Sequence, residues 1–347
     1  MKQSIIILLV FLTGSLFMIS AGKQEANSPI NPTWLEFKIP PGWPRPPVDI
    51  FAKNRLSEQG FQLGRKLFYD GRLSKDGNFP CASCHQQFAA FANYEHDLSH
   101  GFNNSFTKRN APALFNLAWM TSMHWDGAIN HIEVQPLAPL TAPNEMAENL
   151  DSVLRKLKKD TAYPRLFRAA FGTAEINSQR MLKALAQFVG SIISSDSKYD
   201  RVKSGRAEFT YNELNGYNIF KSKCAGCHKE PLFTDNSFRN NGMAMNKYTN
   251  DAGRMNISGR PEDSLKFKVP SLRNVALTYP FMHDGRFFSL AQVIDHYISG
   301  IQLDQPNLDS LLKKRIPITT REKDNLIYFL YTLTDTSLVK NTRFSQP

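Results

Sequence analysis

Apolar residues recur at helical spacing in several separate stretches of this chain, and the alternation that marks a strand is scarce. Glu58 to Tyr69 reads as a short helix. Met146, Leu150, Val153, Leu154 and Leu157 fall three or four apart and predict a helix over Met146 to Leu157. Leu182, Leu185, Phe188, Val189 and Ile192 do the same within Met181 to Ile193. Leu214 to Lys223 and Ser289 to Ile298 read as further helices. Thr319 and Glu322 have the spacing of a capping box, which starts a last helix running through Leu333. Residues 194–206 are polar and read as a link between two halves. Residues 23–47 are rich in Pro, Asn and Ser, with Pro40-Pro41 and Pro46-Pro47, and read as an extended N-terminal arm. The expected fold is all-α, with long irregular loops.

The start of the chain sets the compartment. Lys2 is followed by an almost unbroken apolar run from Ile5 to Ile19 and by the small residues Ser20, Ala21 and Gly22. That is the pattern of a signal peptide over residues 1–22. The run is short for a membrane span, which needs about 20 apolar residues. The expectation is export to the periplasm with no stable membrane insertion. A length of 347 residues suits about two domains, and the formal charge is +11. No basic cluster interleaved with aromatics accompanies that charge, so a nucleic-acid partner is not expected. The short runs Arg155–Lys159 and Lys313–Arg315 read as solvated helix faces. A basic exported surface suits docking to an acidic protein.

The four cysteines change the picture most. They form Cys81-Ala82-Ser83-Cys84-His85 and Cys224-Ala225-Gly226-Cys227-His228. Cys-x-x-Cys-His is the attachment site of a c-type haem. On one helical turn two thiols reach both vinyl groups of a porphyrin, and the next residue sets an imidazole under the iron. Two disulfides or a zinc site would also use four cysteines, but neither needs a histidine directly after each pair. Two covalently bound haems c are therefore expected. One belongs to each of two cytochrome c-like domains, residues 48–203 and 204–347.

With these motifs the chain resembles the bacterial di-haem cytochrome c peroxidases and their MauG-type relatives. The likeness runs from about Leu63 to Leu333. It is carried by Leu63-Gly64-Arg65-Lys66-Leu67-Phe68, Arg109-Asn110-Ala111-Pro112, Trp125-Asp126-Gly127, Gln135 and Asn144-Glu145-Met146. The second half adds Val269-Pro270-Ser271-Leu272-Arg273-Asn274 and Thr278-Tyr279-Pro280-Phe281-Met282-His283-Asp284-Gly285. The resemblance implies that the first haem, on His85, meets hydrogen peroxide, and that Glu145 moves a proton between its oxygens while Gln135 positions it. It implies that Trp125 lies between the haems and shortens the electron path. It also implies a calcium ion between the haems, held by Asn110, Thr278 and Pro280 through oxygen ligands.

Two positions separate the branches of the family. A histidine on the loop after the first motif caps the peroxide haem in many members, and His100 matches it, with His96 and His124 as alternatives. The far ligand of the second haem, on His228, is methionine in electron-accepting peroxidases. Tyr297 stands there, with Met243, Met245, Met255, Met282 and His296 as alternatives. A tyrosine ligand lowers the haem potential and resembles the MauG type. The resemblance thus implies a peroxidase reducing hydrogen peroxide with electrons passed through the second haem by a small cytochrome c or cupredoxin. The alternatives are a MauG-type enzyme, which turns peroxide-derived high-valent haem on Trp or Tyr side chains of a partner protein, and a purely electron-transferring cytochrome. A homodimer is the assembly that the family implies.

Overall fold

Helices supply most of the regular structure in the computed structural model, which describes residues 32–347. The expected signal peptide and the first residues of the arm lie outside the described residues. The first half carries α1 (Glu58–Phe68), α2 (Cys81–Cys84), α3 (Leu137–Thr141), α4 (Leu150–Lys159), α5 (Ala162–Phe171) and α6 (Ser178–Gly190). The second carries α7 (Lys198–Lys203), α8 (Tyr211–Lys223), α9 (Met255–Ser258), α10 (Leu290–Asp295), α11 (Thr320–Tyr331) and α12 (Thr336–Val339). The fold is mostly helical, with one small addition: strands β1 (Phe238–Arg239) and β2 (Phe267–Lys268) pair antiparallel. No helix of the described residues is long and apolar enough to cross a membrane.

Caps decide where the helices begin. Ser57, Asn149 and Asn177 each accept a hydrogen bond from a backbone N–H in the first turn of α1, α4 and α6. Because Asn149 takes the cap, α4 begins at Leu150 and leaves Met146 in a buried loop, later than the apolar spacing predicts. The capping box of Thr319 and Glu322 is formed as expected. The polar stretch 194–206 is not a bare link. Ser197 and Asp200 form another capping box there and start α7. The arm from residue 32 to 47 is irregular but anchored. The Trp119 indole donates to the Pro44 carbonyl at 2.7 Å, and the Trp43 and Trp119 rings meet edge-on at 5.0 Å.

Two hydrophobic cores form. One is built on Phe61, Phe68, Phe167, Met181 and Phe188, the other on Tyr199, Phe220, Phe233, Leu326 and Phe329. The chain end returns to the first core, where Leu338 and Phe344 pack and the Tyr69 hydroxyl donates to the Phe344 carbonyl at 2.8 Å.

Both cores are organised around the same kind of crossing. In the first, α1 crosses α6 at Gly64, where an added Cβ would stand 1.9 Å from the Ala184 carbonyl oxygen and 2.9 Å from the Phe188 Cβ. In the second, α8 crosses α11 at Gly216, where it would stand 1.9 Å from the Asn325 carbonyl oxygen and 2.8 Å from the Phe329 Cβ. Each glycine lies on the long helix that precedes a Cys-x-x-Cys-His motif, so the two halves share this packing as well as the motif. Gly64→Ala or Gly216→Ala must push the paired helices apart. Each is expected to lose about 1–3 kcal/mol of stability in denaturant unfolding of the haem-loaded protein, and an unchanged midpoint would contradict so close a crossing.

Candidate haem sites and the cavity between them

The two motifs fold alike. In the first, Cys81 to Cys84 make one helical turn and the His85 N–H bonds to the Cys81 carbonyl at 3.0 Å. In the second, α8 runs into Cys224, and the His228 N–H bonds to the Cys224 carbonyl at 3.0 Å. Each imidazole is then oriented by a carbonyl just downstream. His85 Nδ1 lies 3.0 Å from the Phe91 carbonyl oxygen and His228 Nδ1 lies 3.1 Å from that of Phe233. With Nδ1 donating, Nε2 keeps its lone pair for a metal. Burial lowers the pKa of both histidines, His85 to about 4, which favours the neutral ring that a metal ligand needs. Burial also pushes the Cys81 and Cys224 thiols up to about 12. None of the four cysteines is in a disulfide.

The motifs face one continuous cavity of about 1020 Å³, lined by Cys84, His85, Cys224, Cys227 and His228. A single drug-sized ligand occupies roughly 300–1,000 Å³. Unpaired thiols, oriented imidazoles and a volume at the top of that range fit two haem groups. Cys81 packs against the first core just behind the wall.

Glu145, Gln135 and Trp125 all reach this wall. Burial raises the Glu145 carboxyl above its ordinary value, as suits a group that must hold and release a proton. The Trp125 indole donates to the Asn110 carbonyl at 2.8 Å, and its own carbonyl accepts from the Lys268 N–H of β2 at 2.7 Å. It is thus held by both halves. Asn110, Thr278 and Pro280 also line the wall. The Asn110 amide nitrogen donates to the His96 and Asp97 carbonyls at 3.2 and 3.1 Å, which leaves its amide oxygen uncommitted. No group of three or more His, Cys, Asp or Glu among the described residues is arranged to hold a metal. A cation at these three positions would therefore use amide and carbonyl oxygens.

The two branch positions come out differently. Tyr297 is on the wall, in the π-helical turn His296–Gly300 that follows α10. Burial pushes its phenol up to about 12, against a hydrogen bond from Asn241. That turn sends His296 the other way, where Nε2 lies 3.0 Å from the Asn241 carbonyl oxygen. Met243 and Met282 line the cavity too; Met245 and Met255 do not. His100 is exposed and does not line the cavity; its ring packs on Phe106 at 4.5 Å and on His96 at 5.1 Å. Beside it, Gly101 packs on the Asn144 backbone, where an added Cβ would lie 2.2 Å from the carbonyl oxygen. The loop backbone presses against the backbone leading to Glu145, and His100 points away. His124 does line the wall, with Nε2 buried and without a hydrogen-bond partner.

The wall also holds residues that periodicity and motif spacing gave no role. Lys268 is buried, its pKa lowered to about 8 by desolvation, and its Nζ donates to the Ser122 carbonyl at 2.7 Å. Arg109 forks between Asp126 and Asp251, joining the two halves beside Trp125, with Nη2 2.9 Å from Asp251 Oδ1. Both carboxylates are buried. The only sequence signal was the adjacency of Arg109 to Asn110 and of Asp126 to Trp125.

Two Cys-x-x-Cys-His turns of matching geometry, opening on one cavity, define a two-haem redox protein. The pattern of the family described as di-haem cytochrome c peroxidase matches residues 58–208. The chain is 36% identical over 305 residues to the methylamine utilization protein MauG of Methylorubrum extorquens, covering 86% of this chain and 83% of that one. It is 31% identical over 318 residues to the cytochrome c551 peroxidase of Nitrosomonas europaea, covering 90% and 89%. Among solved structures, a MauG-like protein associated with microbial copper homeostasis superposes with a TM-score of 0.82 at 34% identity, over 90% of this chain and 99% of that one. The chain belongs to the di-haem cytochrome c peroxidase family and is an oxidoreductase of the peroxidase type.

Arg109→Ala would leave Asp126 and Asp251 as buried, unpaired carboxylates. It is expected to cost about 3–5 kcal/mol in unfolding measurements. Arg109→Lys should recover only part of this, because a single ammonium cannot serve both carboxylates as the guanidinium fork does.

Proposed function

We propose that this protein reduces hydrogen peroxide at a haem held by His85, with electrons delivered through a second haem held by His228. The observation that carries the reading is Glu145, a half-buried carboxyl with a raised pKa, on the same wall as Gln135 and His85. Thioether bonds from Cys81 and Cys84, and from Cys224 and Cys227, would fix the two groups. Residues 48–203 form the peroxide-binding domain in this reading, and residues 204–347 the electron-transfer domain. Bound there, the haem iron supplies the electron exchange with peroxide. Glu145 takes the proton from the oxygen nearer the iron and hands it to the far one, so that water leaves instead of hydroxide. Gln135 orients the peroxide by hydrogen bonding. Trp125, tied to both halves, bridges the path between the two sites. Asn110, Thr278 and Pro280 would hold calcium beside it. Residues 1–22 would direct export to the periplasm, where a small cytochrome c or cupredoxin supplies electrons.

A second reading is favoured by Tyr297 on the wall and by His100 outside it. With a tyrosine ligand on the second haem and no cap from His100 on the first, the protein would turn its oxidising power on Trp or Tyr side chains of a partner protein, as the MauG type does. Both readings share the peroxide step, and Glu145→Gln tests it. The variant is expected to keep both haems and lose peroxide reactivity in stopped-flow mixing; a rate equal to wild type would rule out the assignment. The pH profile gives a further check. Glu145 must be ionised to accept the first proton, so the rate should rise as pH passes through a carboxyl pKa above the ordinary value of 4.5. That rising limb should be missing in Glu145→Gln.

A further inference from the structure

Three aromatic rings stand in a row outside the first motif. Phe88 and Tyr94 have ring centroids 5.2 Å apart, and Tyr94 and Tyr279 have centroids 5.0 Å apart, both pairs edge-on. Phe88 is 58% exposed, so the row reaches solvent. Two of the rings neighbour the haem cavity along the chain. Tyr279 lies between Thr278 and Pro280, both on the cavity wall. The Tyr94 N–H donates at 2.9 Å to the side chain of Gln86, the residue next to His85. The Tyr279 hydroxyl donates to Glu95 Oε1 at 3.2 Å.

A phenol that loses an electron becomes a strong acid, so it is oxidised most readily when a base takes its proton in the same event. The base must lie within about 2.6–3.2 Å, and Glu95 is at that distance. We infer that Tyr279 is a redox-active residue that carries oxidising equivalents between the first haem site and the surface, with Tyr94 as ring partner and Glu95 as proton acceptor. This rests on the peroxide reaction proposed for that site. One electron leaves Tyr279 for the peroxide-oxidised haem, the phenolic O–H bond breaks, and an O–H bond forms on Glu95. A neutral phenoxyl radical remains. An external one-electron donor returns the electron, and Glu95 returns the proton. Peroxide takes up two electrons and two protons in becoming two waters, so the relay turns over twice for each peroxide.

The test is electron paramagnetic resonance of the haem-loaded protein, labelled with ring-deuterated tyrosine and frozen soon after mixing with one equivalent of hydrogen peroxide. A radical signal that narrows on deuteration is expected in the unsubstituted protein, and it should vanish in Tyr279→Phe while the optical change caused by peroxide persists. Glu95→Gln, which keeps the fold at an exposed position, should slow radical formation on the order of 100-fold. Peroxide consumed with no tyrosyl signal, or with one that survives Tyr279→Phe, overturns the relay alone. Peroxide not consumed by the unsubstituted protein overturns the peroxide reading and the relay with it.

Discussion

Each haem-binding turn is preceded by a helix that can approach its neighbour only because one residue has no side chain. At Gly64 and Gly216 the backbones of the crossing helices touch, with Phe188 and Phe329 wedged one turn further along. A methyl group at either glycine would meet a carbonyl oxygen, which cannot move without moving its helix. The crossing therefore fixes the direction in which α8 delivers its motif, since Cys224 follows α8 directly, while a loop connects α1 to Cys81. His85 and His228 end up on the same cavity, each with Nδ1 tied to a carbonyl and Nε2 left for a metal. Everything proposed for the site depends on that shared orientation.

Buried charge then holds the halves together around a space that side chains do not fill. Arg109 binds Asp126 and Asp251 across the middle. Arg273 is fully buried, donates to both oxygens of Asp200 at 2.8 and 2.7 Å, and lies 4.4 Å over the Trp43 ring. Asn274 beside it donates to Ser194 Oγ at 2.9 Å and accepts from the Asp335 N–H at 2.8 Å. Part of the family signature is thus structural: Arg273 and Asn274 brace the join, and of the two only Arg273 also reaches the cavity wall. Such pairs gain little over apolar packing, but removing one partner is costly, which keeps the join specific. Trp125 and Lys268 sit at this join, on the cavity side.

The site combines groups whose environments differ. The Glu145 carboxyl is desolvated and has no ion partner, so its proton is held more tightly than usual. Asp126 and Asp251, a short distance along the chain fold, are committed to Arg109. One carboxyl is free for proton transfer and the others are fixed as structure, a division set by surroundings and not by residue type.

The chain by itself determined the local features. Cys-x-x-Cys-His spacing places two thiols and an imidazole on one turn wherever it occurs, and the caps at Ser57, Asn149 and Thr319 follow from short-range hydrogen bonding. The helical periods were legible for the same reason, while α5 and α7 were not, since one has no side-chain cap and the other lies in a polar stretch. Glu145, Gln135 and Trp125 could be named only through the family resemblance, not from the residues themselves. Which groups face the cavity was decided only by tertiary structure. His100 and His124 are both loop histidines, and nothing local distinguishes them. His100 is exposed beside the packing of Gly101 on the Asn144 backbone, and the positive φ of 64° at His124 accompanies its place on the wall. The π-helical turn after α10 likewise separates Tyr297 from His296. Contacts far apart in the chain set these directions, and a period or a motif records only what lies within a few residues.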